Sequence, residues 1–125
     1  MARILIADDE PNIVLALELL MKREGHEIRT VGDGEAAIAA AKAFRPDLIL
    51  LDVMMPKMDG YEVCQRLRAD PALKDIAIVM LTAKGREVEK EKGLALGADL
   101  YITKPFSTRD VVRRVKEVLA AKPGA

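Results

Sequence analysis

Four polar residues stand where β-type runs end. Asp8 closes "RILIAD", Asp52 closes "DLILLD", Thr82 closes "IAIVMLT" and Lys104 follows "DLYIT"; Asp9 and Glu10 come directly after Asp8. An acid at the end of a buried strand is costly unless it is paired or working. Two or three carboxylates close together cannot all stay ionised at neutral pH without help. Either one holds a proton or a cation sits among them. Carboxylate oxygens suit Mg²⁺, which keeps several waters and takes one or two acids. No His or Cys is near enough for a zinc site, since His26 precedes the second strand, at the wrong edge. Lys104 adds a positive charge and Thr82 a hydroxyl donor. A cation, an amine and a hydroxyl converging on one carboxylate are what a bound phosphoryl group needs.

The elements that must bring these residues together alternate strictly. Strands are expected over 3–8, 27–31, 47–52, 76–82 and 99–103, and helices over 11–24, 33–44, 59–70, 85–97 and 107–121. In the first helix Ile13, Val14, Leu17, Leu20 and Met21 share one face. Pro11 suits its first turn and Gly25 its stop. Asp33 and Asp59 read as helix caps, and Ser107 with Asp110 reads as a capping box. In the last helix Val111, Val115, Val118 and Leu119 face inward. The helix over 85–97 is poorly amphipathic, with Val88, Leu94 and Leu96 as anchors and Gly93 interrupting it.

Five strand–helix units imply a parallel sheet covered on both faces. The runs 3–7, 47–51 and 76–81 are apolar after Arg3 and Asp47 at their starts and belong in its centre, whereas "EIRTV" alternates as an edge strand does. All strand C-terminal ends then share one edge, where ligand sites form. If the first and third strands are neighbours, Asp8 or Asp9 comes close to Asp52, because paired strands lie only about 5 Å apart.

The totals set limits. The chain has 125 residues, 20 basic and 20 acidic, and one cysteine. That length fits one domain, read as residues 1–121, with 122–125 as a tail or the start of a linker. Charge balance leaves no footprint for direct binding to nucleic acid or an anionic membrane. Cys64 allows no internal disulfide, suits a reducing compartment and reads as core. The first ten residues leave no room for a signal peptide, and no apolar run approaches the ~20 residues of a membrane helix. The expected address is the cytoplasm.

With "ILIADDE" (4–10), "LILLDVMMPKMDG" (48–60), "IVMLTA" (78–83) and "GADLYITKPF" (97–106) in this order and spacing, the chain resembles the receiver domain of two-component response regulators over essentially its whole length. It is similar to single-domain chemotaxis regulators and to the receivers of winged-helix transcription factors. The resemblance implies a flavodoxin-like, doubly wound, five-stranded parallel sheet of order 2-1-3-4-5 with five helices. It implies Asp52 as phosphoacceptor, taking a phosphoryl group from the histidine of a kinase or phosphotransfer protein. Asp9 is implied as the direct Mg²⁺ ligand, with Asp8 acting through water and the backbone carbonyl of Met54 as a further ligand; Mn²⁺ is an alternative metal. Lys104 pairs with the phosphoryl oxygens, Thr82 moves its hydroxyl to them, and Ala83 adds a backbone N–H. Tyr101 fills the space Thr82 leaves. The Lys104–Pro105 peptide is expected to be cis.

Output is expected through the face of the fourth helix, fifth strand and fifth helix, to a partner protein or to a C-terminal output domain beyond "AKPGA". A phosphorylation-dependent homodimer can use the same face. Receivers that dimerise this way usually carry two acids where this chain has Asp99 then Leu100; Lys90, Lys92, Arg113 and Arg114 are available charges. Met54 and Lys84, two residues after Asp52 and Thr82, flank the path of attacking water and are expected to tune phosphoryl lifetime.

Two other functions compete. A phosphatase of the haloacid-dehalogenase type also uses a strand-end aspartate, but needs an acid two residues later, where Met54 stands, and an insertion for its substrate pocket. A degenerate receiver, used only for interaction, would have lost Asp52, Lys104 or the acid pair, and all are present. The chain therefore reads as a phosphoacceptor and not as an enzyme. Among smaller readings, "EVEKEK" is a solvated helix face, His26 a surface residue, and Met54, Met55 and Met58 packing around a bend.

Overall fold

Leu48, Ile49, Leu50 and Leu51 are all fully shielded from water. Leu48 and Leu50 join one apolar cluster, and Ile49 and Leu51 the other. A strand with no wet face must lie inside a sheet covered on both sides. The computed structural model, which describes residues 1–83 and 96–121, has that architecture. Its elements are β1 (Arg3–Ala7), α1 (Pro11–Arg23), β2 (Glu27–Val31), α2 (Gly34–Phe44), β3 (Leu48–Asp52), α3 (Gly60–Ala69), β4 (Ala77–Ala83), β5 (Leu100–Lys104) and α4 (Thr108–Ala121). The five strands are parallel in the order β2-β1-β3-β4-β5. The helix expected over 85–97 and the tail 122–125 lie outside the described residues, apart from Leu96 and Gly97.

Each sheet face has its own core. Leu17 and Met21 of α1 and Val111 and Val115 of α4 cover Ile4, Ile6, Leu50, Val79 and Leu81. The small face of α2 (Ala37, Ala40, Ala41) and Val63, Cys64 and Leu67 of α3 cover Leu5, Ile49, Leu51, Ile78 and Met80. Strand β2 is half exposed along its length, as its alternating sequence requires at an edge. No described helix is long and apolar enough to cross a membrane.

The helix starts follow their caps. Asp33 accepts from the Ala36 N–H at 2.7 Å and Asp59 from the Glu62 N–H at 2.9 Å. Ser107 Oγ accepts from the Asp110 N–H at 3.0 Å. The reciprocal half of that capping box does not form, because the Asp110 carboxylate is drawn to Arg113 and Arg114. Met55 and Met58 pack against the α2–α3 core as expected, but Met54 is 62% exposed. Its backbone N–H is hydrogen-bonded to the Asp52 carboxylate while its side chain faces water.

Two glycines let the segment after β3 close over the sheet. A Cβ on Gly60 would stand 2.4 Å from the Asp52 carbonyl oxygen, and one on Gly34 would stand 2.1 Å from the Met58 carbonyl oxygen. Gly34 begins α2, where helix propensity alone would favour alanine. The contact decides otherwise: Gly34→Ala should lower stability by roughly 1–3 kcal/mol, the usual cost of overpacking. Urea unfolding checks this, and a stabilised variant would refute the close approach.

Candidate functional site

Strand register builds the site. Ala7 pairs with Leu51, so the next residues, Asp8 and Asp52, leave the sheet side by side. The Asp8 N–H donates to the Val31 carbonyl at 3.2 Å, which holds it in line past the end of β1. Asp52 pairs with Leu81, and Ala83 with Lys104, so Thr82 and Lys104 reach the same edge. Asp8, Thr82 and Asp52 are 1%, 4% and 5% exposed, and they are the buried polar side chains of the described residues. All three belong to this one edge.

Lys104 joins them from the far side of the sheet. Its Nζ lies 3.1 Å from Asp8 Oδ2, 3.1 Å from Glu10 Oε1 and 3.4 Å from Asp52 Oδ1. The Lys104–Pro105 peptide is cis, as the resemblance implies. Burial works against the lysine's charge, but Glu10, Asp52 and Asp8 together hold its pKa above the ordinary value. Asp52 is raised as well, which for an acid disfavours the charged form. Burial, then the Asp8 charge, push its pKa up to about 6, against the pull of Lys104 and a hydrogen bond from the Met54 N–H. One amine does not neutralise this set.

The arrangement fits a divalent cation. Asp8, Glu10 and Asp52 each offer a carboxylate oxygen, and these oxygens lie within 4.8 Å of one another. Hard oxygen donors with excess negative charge suit Mg²⁺ or Mn²⁺. Asp9 is not one of the three; it is exposed and lines an open groove with Val14, Glu18 and Thr30. Tyr101 is buried, and its hydroxyl donates to that of Tyr61 at 3.5 Å.

The structure thus brings together Asp8, Asp52, Thr82 and Lys104 and leaves Asp9 at the rim. Two participants were not assigned from sequence. Glu10 carried a signal, being the third successive acid at the end of β1, but a glutamate before a helix reads as surface. Tyr61 carried none, because an aromatic in a first helical turn is ordinarily packing.

The sign of the pH effect follows from Asp52. Folding raises its pKa from 3.8 to about 6. The folded chain therefore keeps a proton that the unfolded chain has released in that interval, and stability falls as pH rises through it. Asp52→Asn removes the charge and keeps the shape. In metal-free buffer at pH 7.5 it should stabilise the chain by on the order of 1 kcal/mol, discounted for water that still reaches the carboxylate. The gain should shrink toward pH 4; thermal melts at both pH values check it, and a destabilised variant at pH 7.5 would count against a strained carboxylate.

Comparisons with known proteins agree with this geometry. The model of the response regulator receiver domain matches residues 4–116. The alkaline phosphatase synthesis transcriptional regulatory protein PhoP of Bacillus subtilis is 50% identical over 117 residues, which is 94% of this chain and 48% of that protein. The chain spans about half the length of the curated relatives it matches. Among solved structures, the signal receiver domain of a histidine kinase from Syntrophus aciditrophicus superposes with a TM-score of 0.91 at 33% identity, covering 100% of this chain and 95% of that one. The receiver domain of the sensor histidine kinase PA1611 from Pseudomonas aeruginosa, solved with a magnesium ion coordinated in its active site cleft, gives 0.88 at 28% identity, covering 96% and 98%. Fold and strand order follow the family whose model spans 4–116, and the chain belongs to the response regulator receiver domains.

Proposed function

We propose that this chain, as residues 1–121, is a phosphorylatable switch in which Asp52 accepts a phosphoryl group from a histidine kinase or phosphotransfer protein. The observation that carries this reading is the buried Asp52 carboxylate with Asp8 beside it and the Lys104 amine 3.4 Å away. In the transfer an Asp52 oxygen forms the new O–P bond as the P–N bond to the donor histidine breaks. The imidazole leaves with the electron pair. Lys104 offsets charge on the phosphoryl oxygens, and the Thr82 hydroxyl and Ala83 N–H donate to them. Beside the Asp8, Glu10 and Asp52 cluster, Asp9 would turn in from the rim to hold Mg²⁺ with Asp52 and the Met54 carbonyl, Asp8 acting through water; when bound, the ion offsets the negative charge of the transferring group. The magnesium in the PA1611 receiver supports that choice of metal, with Mn²⁺ an alternative.

The product adds charge and acceptor oxygens at one sheet edge, which biases a two-state element. Thr82 and Tyr101 are its moving parts, and output leaves through the face of the segment 85–97, β5 and α4. The chain turns over no substrate of its own beyond slow loss of the phosphoryl group. A partner protein or output domain is the favoured recipient. A homodimer through the same face is the weaker reading, because Asp99 already bonds Arg68 at 2.9 Å and the Ile78 N–H at 2.7 Å. The matching location is the cytoplasm, where a kinase domain meets its regulator.

With Mg²⁺ and acetyl phosphate, intact mass should show one added phosphoryl group. The adduct should survive acid and be cleaved by base or hydroxylamine. Asp52→Asn should abolish it, and Lys104→Ala should slow its formation or its consequences. An adduct unaffected by Asp52→Asn, or none on the wild-type chain, would refute the assignment.

A further inference from the structure

Glu10 is out of character for its place. It occupies the N-cap position of α1, where Ser, Thr, Asp and Asn serve best, and its side chain makes no capping bond. It reaches instead to Lys104 Nζ, 3.1 Å away and 94 residues along the chain. Its backbone is fixed by the site itself, since the Glu10 N–H donates to Asp8 Oδ1 at 2.9 Å. The three acids around Lys104 are not equivalent. The side chains of Asp8 and Asp52 are buried at strand ends, whereas that of Glu10 is 59% exposed. Asp52 is the most distant of the three from the amine, so Lys104 is held chiefly by the two acids that follow β1.

We infer that Glu10 is the exchangeable counter-ion of Lys104: it holds the amine beside Asp52 before phosphorylation and yields it to the phosphoryl oxygens. This rests on the reading of Asp52 as phosphoacceptor. With acetyl phosphate as donor, an Asp52 oxygen forms the O–P bond, the donor's bridging P–O bond breaks, and acetate leaves with the electron pair; no proton changes hands. The new oxygens need the N–H donors of Lys104, and Glu10 is the partner that can surrender them, because among the described residues its exposed carboxylate pairs with Lys104 and no other side chain. Asp8 cannot leave the sheet edge in the same way. Glu10 is therefore a positioning residue that stabilises the resting arrangement and competes with the phosphoryl group for one lysine.

The test compares wild type with Glu10→Gln, labelled by acetyl phosphate at saturating Mg²⁺ and followed by intact mass. Glu10→Gln should be labelled faster by roughly two- to fivefold, the range of an exposed ion pair, and added salt should narrow the gap. Mg²⁺ titration by amide shifts should show a loss of affinity well under tenfold, the share of one exposed charge beside two buried acids. In a Lys104→Ala background, at high donor concentration, Glu10→Gln should change the rate little. Equal or slower labelling of Glu10→Gln would overturn the inference. A tenfold loss of Mg²⁺ affinity would make Glu10 a metal ligand and overturn it too, as would an undiminished rate gap without Lys104. Failure to label even the wild-type chain would remove the phosphoacceptor reading itself; normal labelling with no effect of Glu10→Gln removes only the role of Glu10.

Discussion

Two carboxylates, Asp8 and Asp52, are forced together in a place with little water, and much of the structure answers to that constraint. Neither strand can slip to relieve it, because a one-residue shift would turn the apolar side chains of β1 or β3 to the wrong face. Parallel pairing of Ala7 with Leu51 fixes the juxtaposition through the backbone. Charge must therefore be managed locally, by a proton on Asp52, by Lys104, or by a cation. A site that is never fully neutralised by its own residues is ready for a ligand that brings positive charge, or for a reaction that rebuilds the charge pattern.

The surrounding scaffold is stiff where the site needs it. The segment after Asp52 turns back through Lys57, which holds a left-handed φ of 68°, and the Met58 N–H donates to the Pro56 carbonyl at 2.7 Å. A lysine in that region carries strain of about 1 kcal/mol or more, which persists only when neighbours over-determine it. Gly34, Gly60 and the Asp33 and Asp59 caps are those neighbours. At the opposite edge Arg68 donates to the carbonyls of Lys74, Ile76 and Gly97 and pairs with Asp99. Asp99 in turn receives the Ile78 N–H. That clip ties the start of β5 to α3 and β4, and with it the strand that delivers Lys104.

Sequence patterning carried the fold because it is a matter of period and polarity. The three apolar runs became the three inner strands, and "EIRTV" became an edge. Asp33, Asp59 and Ser107 capped the helices they precede. Asp8, Asp52, Thr82 and Lys104 were legible as a set because strand ends collect on one edge of a parallel sheet. What patterning could not carry was direction within a turn. Asp9 and Glu10 are adjacent acids after the same strand, and only the path of the backbone into α1 sends Glu10 to Lys104 and Asp9 to the rim. The outward Met54, the half-formed capping box at Asp110 and the Tyr61–Tyr101 pair depend on the same kind of local competition, in which the nearest stronger partner wins.

Tyr101 shows how one residue can join the site to the outer helices. Its ring is buried among the α2–α3 core, and its hydroxyl meets Tyr61 in the first turn of α3. Its carbonyl accepts from Arg114 of α4 at 2.9 Å, and Arg114 also pairs with Asp110 in that helix. Thr82 and Tyr101 sit on adjacent paired strands, with Thr82 opposite Thr103. Rotation of the Tyr101 ring has to give up its hydroxyl contact with Tyr61. The surface of α4 is fixed to the same residue through the backbone. Packing that close has few intermediate arrangements, so displacing any one of these groups favours a step between two packings over a gradual drift.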